Sequence, residues 1–184
     1  MSRTLFTADL HLCHEGIIRL CARPFASVAE MNGSLTRIWN AVVGPDDRVF
    51  VLGDFAHRAA DTAKLRALFD RLNGRKALII GNHDDGVTQS LPWESVAQVA
   101  GVTVDGQRVW MSHYAHRSWP GKPRGTWQLF GHSHGRLPGT SQSCDVGVDC
   151  WGFAPVTVAQ IRQRLLTLPP PEEDDLEFGS EMVP

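Results

Sequence analysis

Residues 76–84 read KALIIGNHD: a basic residue, four apolar side chains, a glycine, then Asn82, His83 and Asp84. An apolar run of this length without alternation predicts a strand buried on both faces. The glycine permits a sharp turn and a close backbone approach to a ligand. A short apolar run followed by a turn carrying polar residues recurs at RTLFTADLH (3–11) and, with the glycine, at RVFVLGD (48–54) and WQLFGHSH (127–134). Four buried strands, each ending on polar residues, predict a site built by topology along one rim. Ligands of α/β folds gather at such carboxyl ends of strands.

Working outward, helical spacing of apolar residues appears at SVAEMNGSLTRIWNAVV (27–43) and ADTAKLRALFDRLNG (60–74), the second stopping on Asn73-Gly74. VTVDGQRVWMSH (102–113) alternates on both sides of Asp105-Gly106, a hairpin signal. CDVGVDCW (144–151) is read as a further strand, and TVAQIRQRLLTL (157–168) as a last helix capped by Thr157. Strands alternating with helices, followed by a hairpin, imply a layered α/β domain with a mixed sheet. No internal repeat is visible.

Of the 184 residues, 42% are hydrophobic and 21% charged, as expected for one globular domain with a full core. No apolar run reaches the roughly 20 residues of a membrane span, and MSRTLFTADLHLC lacks the apolar core of a signal peptide. A cytoplasmic location is therefore expected. Cys13, Cys21, Cys144 and Cys150 form no C-x-x-C pair and are read as reduced thiols. The stretch 169–184, PPPEEDDLEFGSEMVP, holds six acidic residues and no Lys or Arg. It reads as a disordered tail behind a domain spanning 1–168. That domain carries eighteen basic against fourteen acidic side chains, a mild excess with no basic–aromatic stripe to indicate nucleic acid.

The polar residues at strand ends carry the chemistry. Asp9 and His11 are two apart, as are His132 and His134. In an extended backbone such pairs share a face, with Ser133 pointing away as a spacer. Asp54 follows Gly53, and His113 ends a predicted strand. Five of the eight histidines thus fall at strand ends among Asp and Asn. Imidazole with carboxylate suits manganese, iron, zinc, nickel or cobalt, and the lack of thiolates argues against a structural zinc site. The ligands are too numerous for one ion and suffice for two.

The ordered set DLH, GD, GNHD, H and GHSH, spanning residues 9 to 134, resembles the calcineurin-like metallophosphoesterase superfamily. It is most similar to the small single-domain bacterial and phage members, with HEGIIRLCARPF, GPDDRVFVLGDF and DVGVDCW adding to the likeness. The resemblance implies an α/β/β/α sandwich of mixed sheets flanked by helices. It implies that Asp9, His11, Asp54 and His134 hold a first metal, and that Asp54 bridges to a second completed by Asn82, His113 and His132. It further implies that His83 serves the leaving oxygen as an acid or donor, oriented by Asp84. Manganese is the first expectation for both ions.

Such a centre suits the chemistry of a phosphate ester. Two dications about 3.5–4 Å apart neutralise phosphate oxygens and generate hydroxide near neutral pH for in-line attack. An imidazole can then protonate the expelled oxygen. The resemblance favours phosphodiesters, including small nucleotide-type substrates; the alternatives are a phosphomonoesterase or a nucleotide or polyphosphate hydrolase. A scaffold that had lost catalysis would show broken ligand positions, and none is missing. Arg23 and Arg117 are read either as phosphate grips through their planar forks or as surface charges. His14 is expected to touch substrate or to support a ligand, and His116 to line the pocket or the surface. His57 is read as structural or solvated, Trp119 and Trp151 as packing.

Overall fold

The computed structural model describes residues 2–171. Its elements in chain order are β1 (Thr4–Thr7), α1 (Glu15–Leu20), α2 (Val28–Val42), β2 (Arg48–Leu52), α3 (Thr62–Arg71), β3 (Arg75–Ile79), α4 (Gly86–Gln89) and β4 (Ser95–Ala97). These are followed by β5 (Val99–Val104), β6 (Gln107–Ser112), β7 (Trp127–Phe130), β8 (Ser143–Asp145), β9 (Val156–Thr157) and α5 (Val158–Leu165). One sheet runs β4-β3-β2-β1-β9, the other β5-β6-β7-β8. Both are mixed: β9 lies antiparallel to β1, and β5 antiparallel to β6.

Strand alternation explains why two sheets stack. Leu5, Val49, Val51 and Leu78 face one core, shared with Ile17 of α1, Met31, Leu35 and Trp39 of α2, and Leu65 and Phe69 of α3. Their neighbours Phe6, Phe50, Leu52, Ala77 and Ile79 face the other, against Val109, Met111, Leu129 and Cys144 of the second sheet. The apolar runs are unbroken because each residue is buried on one side or the other. Each Val, Leu, Ile, Phe or Met among them contributes about 1.5–3 kcal/mol relative to exposure. Helix α5 sends Val158, Ile161 and Leu165 into this second core. Two mixed sheets flanked by helices is the architecture that the sequence led us to expect.

Local signals agree with the helix starts. Ser27, Asp61 and Thr157 accept from the backbone N–H three residues on, and Thr157 and Gln160 close a reciprocal capping box. The hairpin turns at Asp105-Gly106, as the alternation indicated. CDVGVDCW is only partly a strand: β8 stops at Asp145, and Val148–Cys150 forms a 3-10 turn. Among the described residues no helix is long and apolar enough to cross a membrane, and all four cysteines are free. The acidic residues from Glu172 onward lie outside the described residues.

Candidate metal centre

Strands β1, β2 and β3 are parallel and in register, so their carboxyl ends meet at one edge. The loops there are stitched together by Asp9 N–H to Gly53 O (3.0 Å) and His11 N–H to Asp54 O (2.9 Å). The second sheet joins at the same edge, where His132 N–H donates to both oxygens of Asp9 (2.9 and 3.0 Å). Glycine is required at the closest approaches. A Cβ on Gly53 would fall on the His113 ring, and one on Gly131 within 2.6 Å of the Ala8 Cβ.

The backbone corrects the extended reading of the paired residues. Asp9, His11, Asp54, His132 and His134 all have φ between 48° and 67°, the left-handed region. Non-glycine residues there cost about 1–3 kcal/mol each and persist only where the surroundings impose them. His132 and His134 therefore serve different groups by turning, and do not share a strand face. Ser133 is no idle spacer either. Its hydroxyl donates to Asp145, which also accepts from Gly135 N–H (3.0 Å) and Gly147 N–H (2.7 Å), pinning the loop.

Besides His11, Asp54 and His83, and Cys21, His134 and Asp149, ligand atoms gather within 4.8 Å of one another in two further groups: Asp9, His11 and His134, and Asp54, His113 and His132. Asp54 stands between them. Its Oδ2 lies 3.5 Å from His11 Nε2, and its Oδ1 lies 3.5 Å from His113 Nε2. Asn82 Oδ1 approaches the same His113 nitrogen at 3.0 Å. The His113 Nδ1 faces the Leu52 carbonyl at 2.8 Å, and the His134 Nδ1 faces Asp149 at 2.7 Å, so in both rings the other nitrogen is turned to the centre.

The electrostatics fit a cation. Burial pushes the Asp9 carboxyl up to about 7 and the His11 imidazole down to about 2. For Asp54, burial is outweighed by the hydrogen bond and charge of His113, leaving it at about 2. Burial opposes a charge on His113 as well, yet Asp54 raises it to about 9. His11 Nε2 is buried without a partner. An orphaned nitrogen beside buried carboxylates is costly unless something positive satisfies them. With oxygen and imidazole donors and no thiolate among them, the residues fit divalent manganese, iron, zinc, nickel or cobalt.

His83 lies against this centre, its ring 5.0 Å from that of His11 and its N–H on Asp54 Oδ1 at 2.8 Å. Its Nδ1 is buried and unpartnered, and burial lowers its pKa. Asp84 does not orient it. The two oxygens of Asp84 accept from Gly81, Asp54 and Phe55 N–H at 2.8–2.9 Å and so clamp the two loops together. Burial of Asp84 pushes its carboxyl up to about 6.

Arg23 fits neither expectation, whereas Arg117 fits the surface-charge one. Arg23 is buried, gripping both oxygens of Asp149 at 2.8 Å and the carbonyls of Asp9 and Leu10 at 2.7 and 2.9 Å. Its fork is committed to the protein, so it has no donor set to offer a phosphate. Arg117 and His116 are exposed. They line a separate cleft of about 560 Å³ with Trp119, Phe130 and Pro169–Pro171, with the His116 ring against Trp110 at 4.8 Å. The structure does not bring either to the metal ligands.

His14 is brought in, its ring 5.2 Å from His11 and 5.6 Å from His83. The sequence reading missed three contributors. His57 stands 4.5 Å from His14, although its position three residues after Asp54 was a usable hint. Tyr114, adjacent to His113, brings its hydroxyl to 3.3 Å from Asn82 Oδ1. Asp149, inside the quoted DVGVDCW, holds His134 from behind.

Similarities to known proteins follow this geometry. A protein of unknown function, AQ665 from Aquifex aeolicus, shares the fold at a TM-score of 0.70 and 20% identity, over 89% of this chain and 100% of that one. The Gene 66 protein of Mycobacterium phage D29 is 31% identical, covering 82% of this chain and 90% of the phage protein. An uncharacterized protein of Methanocaldococcus jannaschii, MJ1445, is 42% identical over 84 residues, 46% of this chain and 48% of that protein. The chain thus spans about half the length of that archaeal relative. The family model for calcineurin-like phosphoesterases matches residues 2–178, so beyond fold and rim chemistry the sequence itself carries the signature: the chain belongs to the calcineurin-like phosphoesterase family.

Proposed function

We propose that the protein is a cytoplasmic phosphodiesterase that works with two divalent cations, manganese by first expectation, on small nucleotide-type esters. The observation that carries this reading is the division of Asp54, with one oxygen 3.5 Å from His11 Nε2 and the other 3.5 Å from His113 Nε2. A single carboxylate between two imidazole sets suits a shared wall of two sites. Asp9, His11, Asp54 and His134 would hold one ion, and Asp54, Asn82, His113 and His132 the other. When bound, such ions neutralise phosphate oxygens and lower the pKa of water.

The chain's own residues account for the remainder. His83, half-buried beside His11 with an Nδ1 that has no hydrogen-bond partner, would give a proton to the leaving oxygen. A diester needs that help because its leaving group departs as an alkoxide. Asp84 keeps the Gly53 and Gly81 turns together, so the ligands on both loops hold their spacing. The four free thiols agree with a reducing compartment.

The test is hydrolysis of an aryl phosphodiester and of the matching monoester by chelator-stripped protein reloaded with Mn²⁺. The diester should turn over faster, and His83→Ala should lower that rate about 10²–10⁴-fold with both ions retained. A faster monoester would replace this reading with a phosphomonoesterase. Inactivity on both esters with every metal tried would remove it.

A further inference from the structure

A histidine that ligates through one ring nitrogen must carry its proton on the other, and what accepts that proton fixes the tautomer. His113 gives its Nδ1 proton to the Leu52 carbonyl, and His134 gives its own to Asp149. His11 has neither a carbonyl nor a carboxylate at Nδ1. Its neighbour there is the Nδ1 of His14, 3.3 Å away. Two imidazole nitrogens in that position need one proton between them. Since His11 Nε2 faces Asp54 and has no partner, the proton belongs on His11 Nδ1, and His14 Nδ1 supplies the lone pair that accepts it.

We infer that His14 is a positioning residue for the first metal: by accepting the Nδ1 proton of His11 it keeps the His11 Nε2 lone pair directed at the Asp54 side of the centre. This inference rests on the two-cation reading above. The surroundings of His14 suit the role. His57 packs against the ring with centroids 4.5 Å apart, and His57 is itself anchored by its own N–H on the Leu12 carbonyl and by Ala59 N–H on its Nδ1. His14 also stands at the N-cap of α1, but its side chain makes no capping hydrogen bond. The helix therefore has no need of the imidazole, and the ring is left to the site.

The experiment is a calorimetric titration of Mn²⁺ into chelator-stripped wild type, His14→Leu and His14→Gln. Gln keeps an acceptor oxygen near the place of Nδ1, whereas Leu has none. His14→Leu should weaken one of the two binding events about 10–100-fold and leave the other unchanged, with His14→Gln within about threefold of wild type at both. In ¹⁵N-labelled wild type loaded with Zn²⁺, the His11 ring should carry its proton on Nδ1. Melting of the metal-free proteins reports on the fold independently.

Wild type that binds two ions while His14→Leu binds both as tightly overturns this inference alone, as does a raised KM with both affinities intact. A His11 proton found on Nε2 in the wild type does the same without any variant. Wild type that binds no divalent cation overturns the inference and the proposed function together.

Discussion

Asp54 stands between two ligand groups that differ in almost everything else. The first is enclosed: Asp9 and His11 are 0% and 2% exposed, and His134 is backed by Asp149, which Arg23 holds through two hydrogen bonds and a buried stem. The second opens outward. His113 is buried, but His132 and Asn82 are exposed, and Tyr114 beside them is 49% exposed. A buried, fully braced set of donors is preorganised, so little is lost when a cation binds. Exposed donors must be ordered on binding and can exchange with water. On the proposed two-ion reading, the tighter, more slowly exchanging ion would sit in the first group, and the open position would face the substrate.

The largest effect is expected from the shared wall. Asp54→Ala should lose both ions and reduce turnover by more than 10³-fold, since each metal supplies several kcal/mol and about 1.4 kcal/mol is a factor of ten. Metal analysis of the purified variant checks it. One ion retained at wild-type affinity would mean that the two groups do not share Asp54.

Next comes the bracing. Asp149→Ala should weaken the first ion about 10–100-fold, leave the second unchanged, and destabilise the fold by about 3–5 kcal/mol because the Arg23 charge stays buried without its partner. Denaturant unfolding together with Mn²⁺ titration separates the two losses. Equal weakening of both ions would break the contrast between a braced and an open group.

The smallest effect lies at the opposite end of β2, far from the rim. Asp47 accepts from Arg3 through backbone N–H, Nε and Nη2 and from Gly44 N–H, and the Arg3 hydrogen bonds hold its carboxyl down at about 2. A carboxyl depressed in the folded state stabilises it fully above the ordinary value of 3.8, and that contribution is lost as pH falls through about 2. Asp47→Asn should therefore flatten the fall in melting temperature between pH 4 and 2, with metal uptake at neutral pH untouched. An unchanged acid slope would show that this pair is screened away by solvent.

Much of this was legible because the relevant signals are local. KALIIG and RVFVLG announce strands buried on both faces, and each glycine marks where the chain must turn against another loop. Asp54, Asn82 and His132 follow glycines directly, and the other ligand residues lie at or just past strand ends, so reading the strand ends collected them. Failures came where a side chain's partner lies far along the chain. Arg23 carries the same charge whether it awaits a phosphate or faces Asp149, 126 residues away, and no local pattern distinguishes the two. The family resemblance implied that Asp84 orients the His83 ring; its oxygens in fact serve backbone amides of two loops. The positive φ of five ligand-bearing residues was equally hidden, because Asp and His announce no such conformation as glycine does.

The register of the central strands has a consequence for how the protein can change. Phe6 pairs with Phe50, and Phe50 with Ala77. A one-residue deletion inside β2 would draw Asp54 back by about 3.3 Å and turn the side chains between the deletion and Asp54 toward the wrong core. Hydrophobic packing thus acts as the gauge that sets distances at the rim, and metal spacing cannot drift while the fold survives. Length variation is better tolerated in connections that follow the ligand loops without buried residues, such as 136–142. Those are the segments through which a new substrate preference could be acquired without disturbing the ions.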